Sequence, residues 1–172
     1  MGKRLDPRVD IRAGGKPGDL GWVISRHGAL YAAEFGWNQE FEVLVAGIAT
    51  DFFLSHDLVR EHCWFAEFEG RTVGSVFLVK STETIAKLRM LIVEPDARGL
   101  GIGAALVEIC IEYAIAAGYE RMTLWTDSVL VAARRLYQSI GFELVESSSY
   151  HSFGHDLISE TWEVELSKAK IE

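Results

Sequence analysis

The stretch Lys87-Leu-Arg-Met-Leu-Ile-Val-Glu-Pro-Asp-Ala-Arg-Gly-Leu-Gly-Ile-Gly-Ala-Ala-Leu106 reads as strand, loop and helix. Leu88 to Val93 is apolar except for Arg89, and Pro95, which has no N–H for a sheet ladder, bounds it. From Ile102 the apolar spacing becomes helical. Ile102, Ala105, Leu106, Ile109, Cys110 and Tyr113 fall on one stripe, with Glu108 and Glu112 on the other side. Gly118 stands where a helix C-cap belongs. Between strand and helix lies Arg98-Gly99-Leu100-Gly101-Ile102-Gly103, with glycine at alternate positions. Glycine leaves backbone N–H groups uncovered, and a helix N-terminus adds unpaired donors and the positive end of a dipole. With the fixed charge of Arg98, the loop suits a phosphate or pyrophosphate. The plainer role for the glycines is tight packing at a helix start.

Two familiar phosphate loops do not fit. A Walker A loop needs Lys and then Ser or Thr after its last glycine, where this chain has Ala104-Ala105. A dinucleotide fingerprint needs its glycines directly after the strand, and here Glu94 to Arg98 intervene.

The 172 residues suffice for one domain with a real core, and 49% hydrophobic with 24% charged residues is a globular composition. Seventeen basic against twenty-five acidic residues give a net charge of −8, which argues against general nucleic-acid binding and suits a cationic substrate. No apolar run is long enough to span a bilayer and no signal peptide is visible, so a cytoplasmic protein without a membrane partner is expected. Cys63 and Cys110 sit in apolar patterns and are expected to be buried free thiols. No metal-ligand spacing is present, so no metal is expected. His151 and His155 lie four apart in a Ser- and Gly-containing segment without a third ligand.

In chain order, Val9 to Ala13 alternates as a short strand. Asp19 is expected to cap a helix through about Tyr31, and Ala32 to Trp37 is an aromatic connection. Asn38 is placed to cap a second helix from Gln39 to about Leu54, with Phe41, Leu44, Val45, Ile48 and Phe52 inward. Cys63 to Glu69 and Thr72 to Lys80 form a hairpin pattern, and Ile85 to Val93 is the fourth strand. Arg121 to Trp125 is the fifth strand, and Leu130 to Ile140 a helix closed by Gly141. Phe142 to Ser147 and Leu157 to Leu166 read as final antiparallel strands joined by a polar linker, Ser147 to Asp156. Ile158, Trp162, Val164 and Leu166 mark the buried face of the last strand. Residues 1–8 and 167–172 are expected to fray.

The loop Arg98, Gly101, Gly103 after a strand ending Val-x-Pro resembles the acyl-CoA loop of the GNAT acetyltransferase superfamily. Downstream, Ala133-Arg-Arg-Leu-Tyr137-Gln-Ser-Ile-Gly141-Phe142 resembles the A-x-x-L-Y-x-x-x-G-F helix of the same family. Two motifs in the right order are more specific than either alone. The resemblance implies an α/β GNAT fold over nearly the full length as a single domain, 1–172. Its mixed central sheet would have about seven strands and helices on both faces, with strands four and five splayed around acyl-CoA. The segments Arg26 to Tyr31 and Glu34 to Trp37 also resemble acetyltransferase domains of bacterial MarR-type regulator fusions, although no helix-turn-helix is present.

Acetyl-CoA is the cosubstrate that the resemblance implies. Leu91 and Val93 would pair with pantetheine, and Arg98, Gly99, Leu100, Gly101, Ile102, Gly103 and Ala104 would surround the pyrophosphate. A backbone N–H near Ile92 or Val93 would polarise the thioester carbonyl. Tyr137 would be the general acid toward the leaving thiolate, since a phenol is protonated at pH 7. For the general base the chain offers Glu34, Glu40, Glu67, His27 and Asp127, while Lys87 and Arg89 on the fourth strand are cationic. Leu130 stands where the family commonly has an asparagine, and Asp127 is expected to face the acceptor or solvent. Tyr31 and Trp37 are candidates for the wall of an acceptor pocket. The implied activity is N-acetylation of a small-molecule or protein amine by direct attack, with a homodimer an open option. The alternative is an acyl-CoA- or metabolite-sensing module partnered with a DNA-binding domain.

Overall fold

Seven extended segments pair edge to edge in the computed structural model, which describes residues 4–171. The strands are β1 (Val9–Ala13), β2 (His62–Phe68), β3 (Arg71–Lys80), β4 (Ile85–Val93), β5 (Arg121–Asp127), β6 (Glu143–Ser152) and β7 (His155–Glu165). The helices are α1 (Asp19–Phe35), α2 (Gln39–Ser55), α3 (Ile102–Ala116) and α4 (Val131–Ile140). Sheet order is β1-β2-β3-β4-β5-β7-β6. Neighbours are antiparallel except β4 and β5, which are joined by the α3 crossover and run parallel. The fold is therefore the expected α/β arrangement of a mixed seven-stranded sheet.

Strand alternation divides the core into two layers. Val76, Leu78, Ala86, Leu88, Met122 and Leu124 pack with Leu106, Cys110 and Ile111 of α3 and Tyr137 and Ile140 of α4. On the other side Phe65 and Phe77 pack with Val23 of α1 and Phe41, Val45 and Phe52 of α2. Cys63 and Cys110 are free and lie in different layers. On α3 the fully buried stripe is Ile102, Leu106, Val107, Cys110, Ile111 and Ala114, rotated slightly from the expected one. Ala105, Ile109 and Tyr113 lie at its margin.

Local capping departs from the expected pattern at α1. Gly18, not Asp19, is the N-cap, and the helix runs through the aromatic connection to Phe35. Asp19 is buried and works as an anchor. It pairs with Arg12 at 2.7 Å and accepts N–H bonds from Gly15 and Lys16, both at 2.9 Å. Asn38 does cap α2, accepting from the Glu40 N–H. Leu44 is 42% exposed, so the α2 stripe is narrower than expected.

The expected polar linker Ser147 to Asp156 is instead the end of a long hairpin. Phe153 and Gly154, at φ 55° and 81°, form its two-residue turn. β6 is an edge strand and so needs no apolar alternation, which hid it. The turn is tied to the α1–α2 connection: Phe153 accepts from the Asn38 N–H at 3.1 Å and donates to Glu40 at 3.1 Å. Ile158, expected inward, is 46% exposed, and Leu157 is buried in its place.

The chain ends are also held more firmly than expected. The Asp6 N–H donates to the Leu100 carbonyl at 2.9 Å, and the Lys170 N–H to the Ile140 carbonyl at 2.8 Å. Leu166–Lys168 forms a 3-10 turn with Leu166 buried. Residues 1–3 and 172 lie outside the described residues.

Asp19 generates a stability prediction. Burial pushes its pKa up, but the Arg12 side chain and the Lys16 and Gly15 N–H groups outweigh this and hold it below 3.8. A depressed carboxylate pKa contributes stability above the unfolded value and loses it as pH falls. Asp19→Asn is expected to lower the unfolding free energy by about 2 kcal/mol at pH 7, since Arg12 loses its more buried partner and keeps only Glu67. Urea titrations should show this deficit shrinking below about pH 4.

Candidate functional site

β4 and β5 pair only from Ile85–Leu88 to Arg121–Leu124. Beyond that point β4 stays with β3 and β5 stays with β7, so the two strands part. A bulge accompanies the parting. Met90 takes φ 54°, and the β3–β4 register shifts between Ser75 and Phe77. The Ser75 hydroxyl holds the turned backbone by donating to the Met90 carbonyl at 3.1 Å. The free edge of β4 then exposes backbone groups that no neighbouring strand uses.

A cavity of about 650 Å³ opens along this edge. Leu91, Ile92 and Val93 line it from β4, as do Arg98, Gly99, Gly101, Ile102, Gly103 and Ala104 from the loop and α3. Leu130, Ala133 and Leu136 close it from the α4 side. Leu100 alone of the expected loop residues is absent from the lining; it packs toward the α3 core. Gly101 is the N-cap of α3 at φ 80°, a left-handed backbone that a side chain would strain. The first helical bond runs from the Ala105 N–H to the Gly101 carbonyl at 3.1 Å, which leaves the N–H groups of Ile102, Gly103 and Ala104 as helix orphans. A Cβ on Gly103 would stand 3.3 Å from the Leu136 side chain, so the cradle is kept narrow.

Two features of this cavity escaped sequence reading. Arg98 is engaged by Glu34 of α1 as a two-pronged ion pair, with one contact at 3.2 Å, and its Nε reaches the Val93 carbonyl at 3.4 Å. Lys170 and Ile171 also line the cavity, from a tail expected to fray. A cation near a phosphate site was the only available signal.

A second cavity, of about 420 Å³, adjoins the first; Tyr31, Leu91, Leu130 and Ala133 line both. Trp37, Phe41, Val45, Ile48 and Trp125 form its apolar walls, with Lys87 and Arg89 on β4. Tyr137 lines it from α4, is 5% exposed, and makes no side-chain hydrogen bond among the described residues. Burial, with smaller contributions from Tyr31 and Cys110, pushes its pKa well above 10. Burial likewise raises Tyr31 to about 12, helped by Glu34 and Asp127 and opposed by Arg98. Both phenols therefore stay protonated and able to donate.

The candidate bases separate cleanly. Glu34 is paired with Arg98, Glu40 holds the Phe153 N–H, and Glu67 pairs with Arg12 on the far side of the sheet. His27 lines the second cavity, but its Nδ1–H donates to the Val23 carbonyl at 2.7 Å and burial lowers its pKa to about 4. Asp127 also lines the cavity and is 1% exposed. Its Oδ1 accepts from the Tyr150 hydroxyl at 2.8 Å, while its buried Oδ2 has no partner among the described residues. Burial raises its pKa to about 6, opposed by Tyr150 and reinforced by Glu160. A carboxyl that ionises near neutrality with one oxygen unpartnered is suited to taking a proton.

Comparison with known proteins agrees with this fold. The family model described as "Acetyltransferase (GNAT) family" matches residues 29–142. N-acetylaspartate synthetase of Xenopus tropicalis is 36% identical over 89 residues, covering 51% of this chain and 33% of that protein. N-acetyltransferase 8B of Homo sapiens is 30% identical over 127 residues, covering 70% of this chain and 56% of that protein. The chain thus spans between a third and somewhat over half of these two relatives. Among solved structures, the yncA acetyltransferase of Salmonella typhimurium, determined with its cofactor acetyl-CoA, superposes with a TM-score of 0.71 at 21% identity, covering 92% of this chain and 94% of that one.

Asp127 should leave a signature in stability. Its folded pKa lies above its ordinary value of 3.8, so the folded state holds the proton more tightly and loses relative stability as pH rises from about 4 to about 6. Asp127→Asn keeps an acceptor for Tyr150 and removes the ionisation. Its melting temperature relative to the parent is expected to rise across that pH interval and to level off above it, as thermal melts at half-unit steps would show.

Proposed function

Because the chain belongs to the acetyltransferase (GNAT) family, we propose that it transfers an acetyl group from acetyl-CoA to a primary amine by direct attack of the neutral amine. The observation that carries this reading is the meeting of two cavities at Tyr31, Leu91, Leu130 and Ala133, with a phosphate cradle in the first and Asp127 beside the junction in the second. The residues fit the cosubstrate: orphan helix N–H groups and Arg98 suit the pyrophosphate, and the free edge of β4 suits an amide-bearing arm. Acetyl-CoA supplies an activated acetyl thioester.

The chain's own residues then divide the work. Backbone groups at Leu91 to Val93 hold the arm in line with the sheet, and an N–H of that edge polarises the carbonyl. Asp127 draws the proton from the amine at its unpartnered Oδ2. The Tyr137 hydroxyl gives a proton to the departing sulfur; its raised pKa keeps that proton available at neutral pH. Tyr31 closes the junction of the two cavities and excludes water. Arg98 must leave Glu34 to reach a phosphate, so cosubstrate entry and the position of α1 are coupled.

In this reading residues 4–171 work as one domain, and no helix of the described residues is long and apolar enough to cross a membrane. The regulator-like segments Arg26 to Tyr31 and Glu34 to Trp37 have work inside this domain: Arg26 pairs with the buried Glu94 below the loop, and Tyr31, Glu34 and Trp37 line the cavities.

Tyr137→Phe removes only the hydroxyl. In single-turnover assays of thiol release, the chemical step is expected to slow by about 100-fold, with CoA affinity unchanged by calorimetry. An unchanged chemical rate would make Tyr137 a packing residue. CoA binding without turnover of any amine by the parent would favour a sensing role.

A further inference from the structure

The second cavity holds two cations that pair with no carboxylate among the described residues. Lys87 and Arg89 occupy alternate positions of β4, so their side chains leave the same face of the sheet. Both line the cavity and both are half-buried. Neither makes an ion pair or a side-chain hydrogen bond among the described residues. Burial lowers the pKa of each, and for Lys87 the charge of Arg89 adds to the effect. Desolvated like charges side by side are costly unless an anion joins them. The walls offer none, since Trp37, Phe41, Val45, Ile48 and Trp125 are apolar.

The only carboxylate lining this cavity among the described residues is Asp127, and it stands at the opposite end. In the parallel register Leu88 lies beside Leu124, so Arg89 is level with Trp125. Asp127 is two residues further along β5, roughly 7 Å of strand. That end adjoins the cosubstrate cavity, because Leu130, which lines both, donates its N–H to the Asp127 carbonyl at 2.9 Å. The cavity is therefore polarised, positive at its remote end and negative where transfer takes place. Tyr150, Glu160 and Tyr31 are the other titratable groups acting on Asp127, and Glu160 is itself occupied by Arg134 and Trp162.

We propose that the acceptor is an amine that also carries a carboxylate, in the simplest case a free amino acid. Arg89 and Lys87 bind the carboxylate and Asp127 receives the amino group. This assignment rests on the acetyl-transfer reading above. It narrows the cationic substrate expected from the net charge, and the candidate bases Glu34 and Glu40 are engaged elsewhere. It also makes Lys87 and Arg89 determinants of specificity, binding the acceptor at a distance from the reacting atoms.

The test is equilibrium binding by calorimetry to the full chain with CoA present. The probes are L-phenylalanine and L-aspartate, set against L-phenylalaninamide and phenethylamine, which lack the carboxylate. At least one amino acid is expected to bind about tenfold or more tightly than the amide and the amine. Lys87→Met with Arg89→Met should abolish that preference by weakening amino-acid binding without weakening phenethylamine binding, and CoA affinity is the check on folding. If the double variant does not fold, the singles Lys87→Met and Arg89→Gln carry the same readout. Binding of phenethylamine as tight as that of both amino acids, no binding of either amino acid, or a preference that survives the variants would overturn the proposal. Acetyl transfer is read separately by thiol release. Carboxylate preference in binding without transfer would support this assignment and remove the acetyltransferase reading. Transfer to phenethylamine in preference to both amino acids would do the reverse.

Discussion

β4 and β5 stop pairing after Leu88 and Leu124, and both cavities of the candidate site open along that parting. Adjacent parallel strands would ordinarily satisfy each other's backbone groups along their shared length. Here β5 keeps a full ladder to β7, while β4 is turned by the bulge at Met90 and keeps its ladder to β3. The left-handed backbone at Met90 is unfavourable for a side-chain-bearing residue, at a cost on the order of 1 kcal/mol, and the Ser75 hydroxyl helps to hold it. The edge left behind is an unfinished piece of sheet inside a folded protein. It is flanked by a helix N-terminus whose donors are also unfinished. A ligand with an amide-bearing arm and a diphosphate completes both at once.

The electrostatics of the cleft are arranged around this gap. At the outer end Arg98 is restrained by Glu34, so a phosphate must compete with a carboxylate for the guanidinium. The half-buried Tyr31 at the junction and the buried Tyr137 of the second cavity keep their protons. Beside that junction Asp127 is poised to ionise near neutrality, while Lys87 and Arg89 at the remote end lack partners of their own among the described residues. The Asp127 Oδ2 and the two β4 cations are left unpaired here among the described residues, whereas Arg12, Asp19 and Glu67 are tied to one another away from the cleft. That contrast is expected when binding energy is reserved for a ligand.

Much of the frame was legible in the sequence because it is written in local rules. The helix periods, the Asn38 cap and the glycine spacing before α3 each act within a few residues. The α/β order and the parallel β4–β5 pair could be inferred from them together with the family resemblance. The glycine loop and Tyr137 do lie on cavities, and their chemical roles are proposals that rest on this placement. What escaped is non-local. The Met90 bulge depends on pairing with β3, the Ser147–Asp156 hairpin on an edge position that needs no apolar alternation, and the Arg98–Glu34 pair on the docking of α1. Lys87, Arg89 and Asp127 share one cavity only because parallel register brings β4 and β5 together, so sequence reading treated the first two as poor bases and the third as one acid among several.

The most direct measurement is a crystal structure of the chain with acetyl-CoA. Its expected result is the diphosphate on the N–H groups of Ile102 to Ala104, with Arg98 turned from Glu34 toward it. The pantetheine arm should run along β4 at Leu91 to Val93, with the thioester between Tyr31 and Tyr137. A cosubstrate bound elsewhere, or bound with the Arg98–Glu34 pair intact and the gap between β4 and β5 empty, would contradict it.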